Sequence, residues 1–229
     1  MIEAPYRPAD DATLRGQWQR AFGRYDNADV AFARVLAAYR RPDRYYHTIE
    51  HGLEVADTVR ALATAFDGDD ADREALDGDD LDDVLLAAWT HDAVYDRDER
   101  NNEQRSAALA WELALLLGFD LGRADAVADL VLVTTHTTPP TDHRQRMICD
   151  ADLSVLAKPW DDYADDVANI RAELGITDGD QWRATRTRML GFFERRPSLY
   201  LLPEAVRRWE TVARANQRNE RRLLAAADR

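Results

Sequence analysis

Five histidines stand in the chain, His47, His51, His91, His136 and His143, and their placement is its most informative feature. His47 and His51 are four residues apart, so within one helix they would share a face. A helix that starts near Thr48 would leave His47 just outside it. His91 is followed directly by Asp92 in Trp89-Thr90-His91-Asp92-Ala93-Val94-Tyr95. Adjacent helical residues diverge by about 100°, so this pair cannot enter one apolar stripe together, yet both can reach an ion lying between their directions. An aspartate directly behind the apolar Leu85–Trp89 stretch is costly to bury unless it is paired, and a cation would supply the pairing. The alternative is an exposed His-Asp at a helix end. In Cys149-Asp150-Ala151-Asp152-Leu153-Ser154-Val155-Leu156, two carboxylates interrupt an apolar run. They read either as ligands or as N-caps of a following helix.

Taken together, the order His, His-Asp, Asp offers two imidazoles and two carboxylates from separate segments. A mixed nitrogen and oxygen set suits Mn²⁺, Fe²⁺, Zn²⁺ or Mg²⁺ in a site with open positions. Such an ion makes water nucleophilic near neutral pH and polarises a phosphoryl oxygen.

The same segments resemble the HD superfamily of metal-dependent phosphohydrolases, and within it a bacterial branch of uncharacterised predicted phosphohydrolases. The resemblance is carried by Tyr45-Tyr46-His47-Thr48-Ile49-Glu50-His51, by Trp89 through Asp96, by Asn102-Glu103-Gln104-Arg105-Ser106-Ala107, by Thr134-Thr135-His136 and by Asp150 through Leu156. The stretches from Arg188-Met189-Leu190 to Arg214-Ala215-Asn216 also look like that branch, so it extends over most of the chain. It implies an all-α, HD-domain-like helical bundle. The chain would form a single domain over residues 1–229, with the metal-site core at about 45–160 and an additional C-terminal helical part. It implies His51, His91, Asp92 and Asp152 as ligands of a divalent ion, or of two ions if His136 takes part. Asp150 is the rival of Asp152, which is preferred because the family shows an Ala-Asp-Leu-like step there. Catalytic roles are expected for Asp92, which would hold or deprotonate the attacking water, for His47 on the substrate phosphate, and for Glu103 as a base or orienter. Glu103 could instead be a negative charge complementing a helix N-terminus. His136 and His143 could equally be loop or supporting histidines. The expected reaction is hydrolysis of a phosphate ester of a small metabolite or nucleotide by metal-activated water. The alternatives are an HD-type di-iron oxygenase and a non-catalytic metal- or nucleotide-binding regulatory module.

The elements that must position these residues are expected to be helices. Alanine, leucine, arginine and glutamate dominate, aspartate suits helix starts, and no proline falls between Pro42 and Pro139. Apolar stripes such as Leu53, Ala56, Val59, Ala63 and Val84, Leu85, Ala88, Trp89 recur at helical spacing. The expected helices are 13–23, 28–39, 49–65, 81–92, 103–117, 123–134, 160–174, 179–193 and 204–226, with Val131-Leu132-Val133 closing a helix rather than forming a strand. Asn27 or Asp29 could cap the second, and Gly118 ends the fifth. The acidic Asp67–Asp83 segment lacks calcium-loop spacing and reads as a solvated connection. Trp89 and Trp111 read as core, and the pairs Arg195-Arg196 and Arg207-Arg208 as solvated faces.

Composition narrows the function classes. The 229 residues are 45% apolar and 32% charged, ordinary for a globular protein. A net charge of −13 disfavours general nucleic-acid binding but admits a small phosphorylated substrate, because a metal inverts the local potential. No apolar run approaches a membrane span, and Met1–Tyr6 lacks a basic region followed by an apolar one. The single cysteine, Cys149, permits neither an internal disulfide nor a thiolate zinc cage and reads as a small buried hydrophobe. A cytoplasmic location is expected.

Overall fold

Helix-forming composition produces helices throughout the computed structural model, which describes residues 8–65 and 78–226 and contains no strand among them. The elements are α1 (Asp11–Phe22), α2 (Ala28–Tyr39), α3 (Ile49–Ala65), α4 (Gly78–Thr90), α5 (Asn102–Leu116), α6 (Leu121–Val133), α7 (His143–Asp152), α8 (Trp160–Glu173), α9 (Gly179–Glu194), the short α10 (Pro203–Ala205) and α11 (Thr211–Ala226). Leu153–Ala157 is a 3-10 turn and Val206–Glu210 a π-helical segment.

The ends follow local chemistry. The side chains of Asp10, Asp120, Asp142 and Asp178 accept hydrogen bonds from the first turns of α1, α6, α7 and α9. Asn27 occupies the N-cap position of α2 without a capping bond, and its amide donates instead to the Leu116 carbonyl. Gly118, at φ +91°, closes α5, a conformation a side chain rarely adopts.

One apolar core runs from Leu14 and Trp18 of α1 through α2–α7 to Leu199–Ala205 and Ala213. Trp89 is fully buried in it, with its indole edge-on to Trp18 at 5.6 Å. Helices α3, α4 and α7 pack on one another at its centre. At Gly52 a β-carbon would stand 3.1 Å from the Tyr39 hydroxyl and 3.4 Å from the Ala88 carbonyl, so this glycine lets the start of α3 lie against the end of α4. A second, polar junction ties α8, α9 and α11: the Arg186 guanidinium donates to Glu220 at 2.7 and 3.1 Å, and the Tyr163 hydroxyl donates to Glu220 at 2.5 Å.

Several expectations need correction. The helix α7 falls where none was expected, and Asp152 is its last residue, preceding the 3-10 turn without a side-chain capping bond to it. The C-terminal helix is interrupted by the π-helical segment, whose Glu210 accepts from the Leu199 amide at 2.9 Å. In the acidic segment, residues 66–77 lie outside the described residues, but Gly78–Asp83 is helical. Asp82 and Asp83 are buried there, Asp82 against Arg24 and Tyr25, Asp83 against Arg123 at 2.8 Å. Arg196 is half-buried rather than part of a solvated face: it donates to the His136 carbonyl at 2.8 Å and lies over the rings of Phe192 and Phe193. No helix among the described residues is long and apolar enough to cross a membrane.

Candidate metal centre

Three neighbouring helix ends deliver the sequence-predicted ligands to one place. His51 lies in the first turn of α3, His91 and Asp92 follow the last residue of α4, and Asp152 ends α7. The Nε2 atoms of His51 and His91 are 3.3 Å apart. Asp92 Oδ2 is 3.1 Å from His91 Nε2 and 3.7 Å from His51 Nε2. Asp152 Oδ1 is 3.2 Å from His51 Nε2 and 3.5 Å from His91 Nε2.

These separations suit a shared ion. Ligand bonds of about 2.0–2.2 Å place neighbouring donors roughly 3.0–3.5 Å apart. His51, His91 and Asp92 form the tight group, with donor atoms all within 4.8 Å of one another, and can hold a metal ion. The second nitrogen of His91 supports this. Its Nδ1 donates to the Ala88 carbonyl at 2.9 Å, which fixes the ring and leaves Nε2 to face the cluster.

Without a cation the cluster holds its charge through protons. Burial alone would lower the His91 imidazole, but Asp92 and Asp152 outweigh it and hold its pKa well above the ordinary value. Burial alone would raise both carboxyls. His91 and His47 hold Asp92 below the usual carboxylate range, and His136, His51 and His91 do the same for Asp152. Protonated imidazole between two ionised carboxylates is the state that a divalent ion would replace, with release of protons.

His136 joins the group from the loop after α6, its Nε2 2.7 Å from Asp152 Oδ2. Its backbone has φ +55°, an uncommon conformation for a side-chain-bearing residue, and Arg196 grips its carbonyl. His143 stands at the opposite end of α7 from Asp152. Asp150 is not brought to the cluster. Its carboxylate accepts from the amides of Leu201 at 2.8 Å and Leu202 at 2.7 Å, on the other side of α7. Burial pushes its carboxyl up to about 7 despite those two amides.

His47 precedes α3, so it does not share a helix face with His51. Its Nδ1 donates to the Glu173 carboxylate, and its ring stacks on Tyr95 with centroids 4.2 Å apart. The other Glu173 oxygen accepts from the backbone amides of Tyr45, Tyr46 and His47, each at 3.0 Å. Buried Arg44 fastens this segment to the turn after His91, donating to the carbonyls of His47 at 3.1 Å and of Asp92 and Ala93 at 2.9 Å. Sequence reasoning missed both. Arg44 adjoins the Tyr45–His51 motif and could have been suspected, whereas Glu173 ends a helix 126 residues away and has no sequence signal.

The cluster opens into a cavity of about 310 Å³. His47, Glu103 and His136 line it, as do the four residues of the imidazole and carboxylate cluster. The arrangement can therefore present an ion and a hydrogen-bonding imidazole to a small molecule. Comparison of the chain with protein-family models, curated proteins and solved structures finds no match.

Proposed function

We propose that the protein is a metal-dependent phosphohydrolase of the HD kind, which cleaves a small phosphate ester. The observation that carries this reading is the convergence of two imidazoles and two carboxylates at the wall of a cavity, from helix ends remote in sequence. His51, His91, Asp92 and Asp152 would hold the ion. A divalent ion there supplies a Lewis acid for a phosphoryl oxygen and lowers the pKa of water.

The chain's own residues supply the rest. Glu173 occupies Nδ1 of His47, which leaves Nε2 for the substrate. Burial would lower the His47 pKa, but Asp92 and Glu173 raise it above the ordinary value, so this imidazole is suited to donate a proton. Asp92, held strongly acidic by His91 and His47 against its burial, suits ligation and orientation better than proton abstraction. We assign proton acceptance to Glu103, which lines the cavity outside the imidazole cluster and, unlike the other such carboxylate, Asp166, is not paired with Lys158. In the balanced reaction the oxygen of water joins phosphorus, the ester P–O bond breaks, and the organic part leaves as an alcohol after taking one proton.

A second reading, a di-iron oxygenase, is favoured by one contact. Asp152 presents Oδ1 to His51 and His91 and Oδ2 to His136, so His136 would be available as the further histidine that a second ion needs. Purified protein assayed for bound metal, phosphate release from a panel of phosphate esters and oxygen consumption separates the two. Metal-dependent phosphate release is expected. Oxygen consumption with iron bound, and no phosphate release, would replace the first reading with the second.

A further inference from the structure

We propose that the substrate of this site carries one phosphate on an apolar, aromatic or branched aliphatic group, and that this group lies against α8 and α9. The inference rests on the phosphohydrolase reading and concerns the part of the cavity beyond the histidines.

That part is built from Leu156, Val167, Ile170, Met189 and Phe193. These side chains are only partly buried, although each lines a concave wall rather than the outer surface. Apolar groups left half-wet inside a cavity gain from being covered by an apolar ligand. They lie on α8, α9 and the 3-10 turn after α7, the turn that begins directly after Asp152. The apolar wall and the candidate metal centre are therefore parts of one site.

Charge argues against a longer phosphate chain or a heavily charged organic part. Asp92, Glu103, Asp152 and Asp166 all line the cavity, and an ion would offset only those that ligate it. The guanidinium in the lining is that of Arg186, and it is spent. It donates to both oxygens of Glu220, at 2.7 and 3.1 Å, and to the Tyr163 hydroxyl at 3.3 Å. Lys158, which pairs with the cavity acid Asp166 at 2.9 Å, is likewise held by Glu54 at 2.8 Å. A second or third phosphate entering this region would meet cations already paired with carboxylates. An apolar group meets Ile170, Val167 and Met189.

The test is calorimetric binding of methylphosphonate and phenylphosphonate, neither of which is hydrolysed, to the full chain loaded with Mn²⁺. Ile170→Asn and Met189→Gln, neutral polar changes on separate helices, are measured beside it. Covering a phenyl group predicts that phenylphosphonate binds about 10- to 100-fold more tightly than methylphosphonate. Either variant is expected to remove most of that ratio while methylphosphonate binding stays unchanged, which also shows that the variant is folded. Equal affinity for the two phosphonates, or a ratio indifferent to both variants, would overturn the apolar subsite and leave the phosphohydrolase reading standing. Failure of both phosphonates to bind protein that holds Mn²⁺ would remove that reading and this inference with it.

Discussion

Asp150 and Asp152 are separated by a single alanine on the last turn of α7, yet they belong to different parts of the molecule. Two residues along a helix turn the side chain by about 200°, so the two carboxylates leave on opposite sides. Asp150 meets the backbone amides of Leu201 and Leu202 and fastens the chain ahead of α10 to the core. Asp152 meets three imidazoles at a cavity wall. The pair teaches that a buried acid is not by itself a ligand. What it faces decides its role: amides make it a structural latch, and convergent imidazoles make it part of a candidate cation site.

The largest effect should come from Asp152→Ala. Losing this carboxylate leaves His51, His91 and His136 without their shared partner, so bound metal should fall and turnover should drop at least about 100-fold, with the helical content kept. Elemental analysis and circular dichroism of the purified variant check this. Asp150→Ala with metal lost and Asp152→Ala with metal kept would reverse the comparison.

Asp150→Ala should instead act on stability. It leaves the Leu201 amide and the buried Leu202 amide without their acceptor, at about 1–3 kcal/mol for the buried donor, while metal content stays near that of the unaltered protein. Asp150→Asn, which retains an acceptor, should recover most of the loss. The two acids also respond oppositely to pH. Burial raises Asp150 to about 7, so its contribution to stability is complete below the ordinary carboxylate range and is lost as the pH rises through about 7. Asp152 is held low by the imidazoles against burial, so its contribution is present above the ordinary carboxylate range and is lost as the pH falls. Urea midpoints of the metal-free protein from about pH 4 to 8 should show a decline toward neutral pH that Asp150→Asn flattens. No change on that substitution would refute the assignment.

The smallest effect is expected at Glu173, a carboxylate that both latches amides and holds an imidazole. Glu173→Gln should lower turnover by about tenfold with metal retained. It should also move the alkaline limb of the pH–rate profile to lower pH, because the His47 imidazole loses one of the carboxylates that raise its pKa. A purely structural role would lower stability and leave the profile where it was.

The helix that carries His51 and the one that leads into His91 could be read from the sequence because their apolar stripes are long and free of proline, and α3 spans Ile49–Ala65 as its pattern requires, although α4 stops at Thr90 rather than running on through Asp92. The helix α7 could not, because it opens on four polar residues, His143-Arg144-Gln145-Arg146, and its apolar face is confined to a few positions. The expectation that His51 and His91 would meet rested on residue types and order, and the structure brings their Nε2 atoms together. The choice between Asp150 and Asp152 depends on Leu201 and Leu202, about fifty residues on, and no local pattern contains that contact. The same holds for Glu173, whose three amide contacts exist only after α8 has packed.

The most direct test of the central claim is the metal content and melting temperature of His91→Ala and Asp92→Ala beside the unaltered protein. If these residues serve an ion, both variants should purify with little metal, show no metal-dependent phosphate release, and keep their helical signal without the rise in melting temperature that added Mn²⁺ gives the unaltered protein. Full metal occupancy in both variants, with the same rise on adding Mn²⁺, would contradict the account.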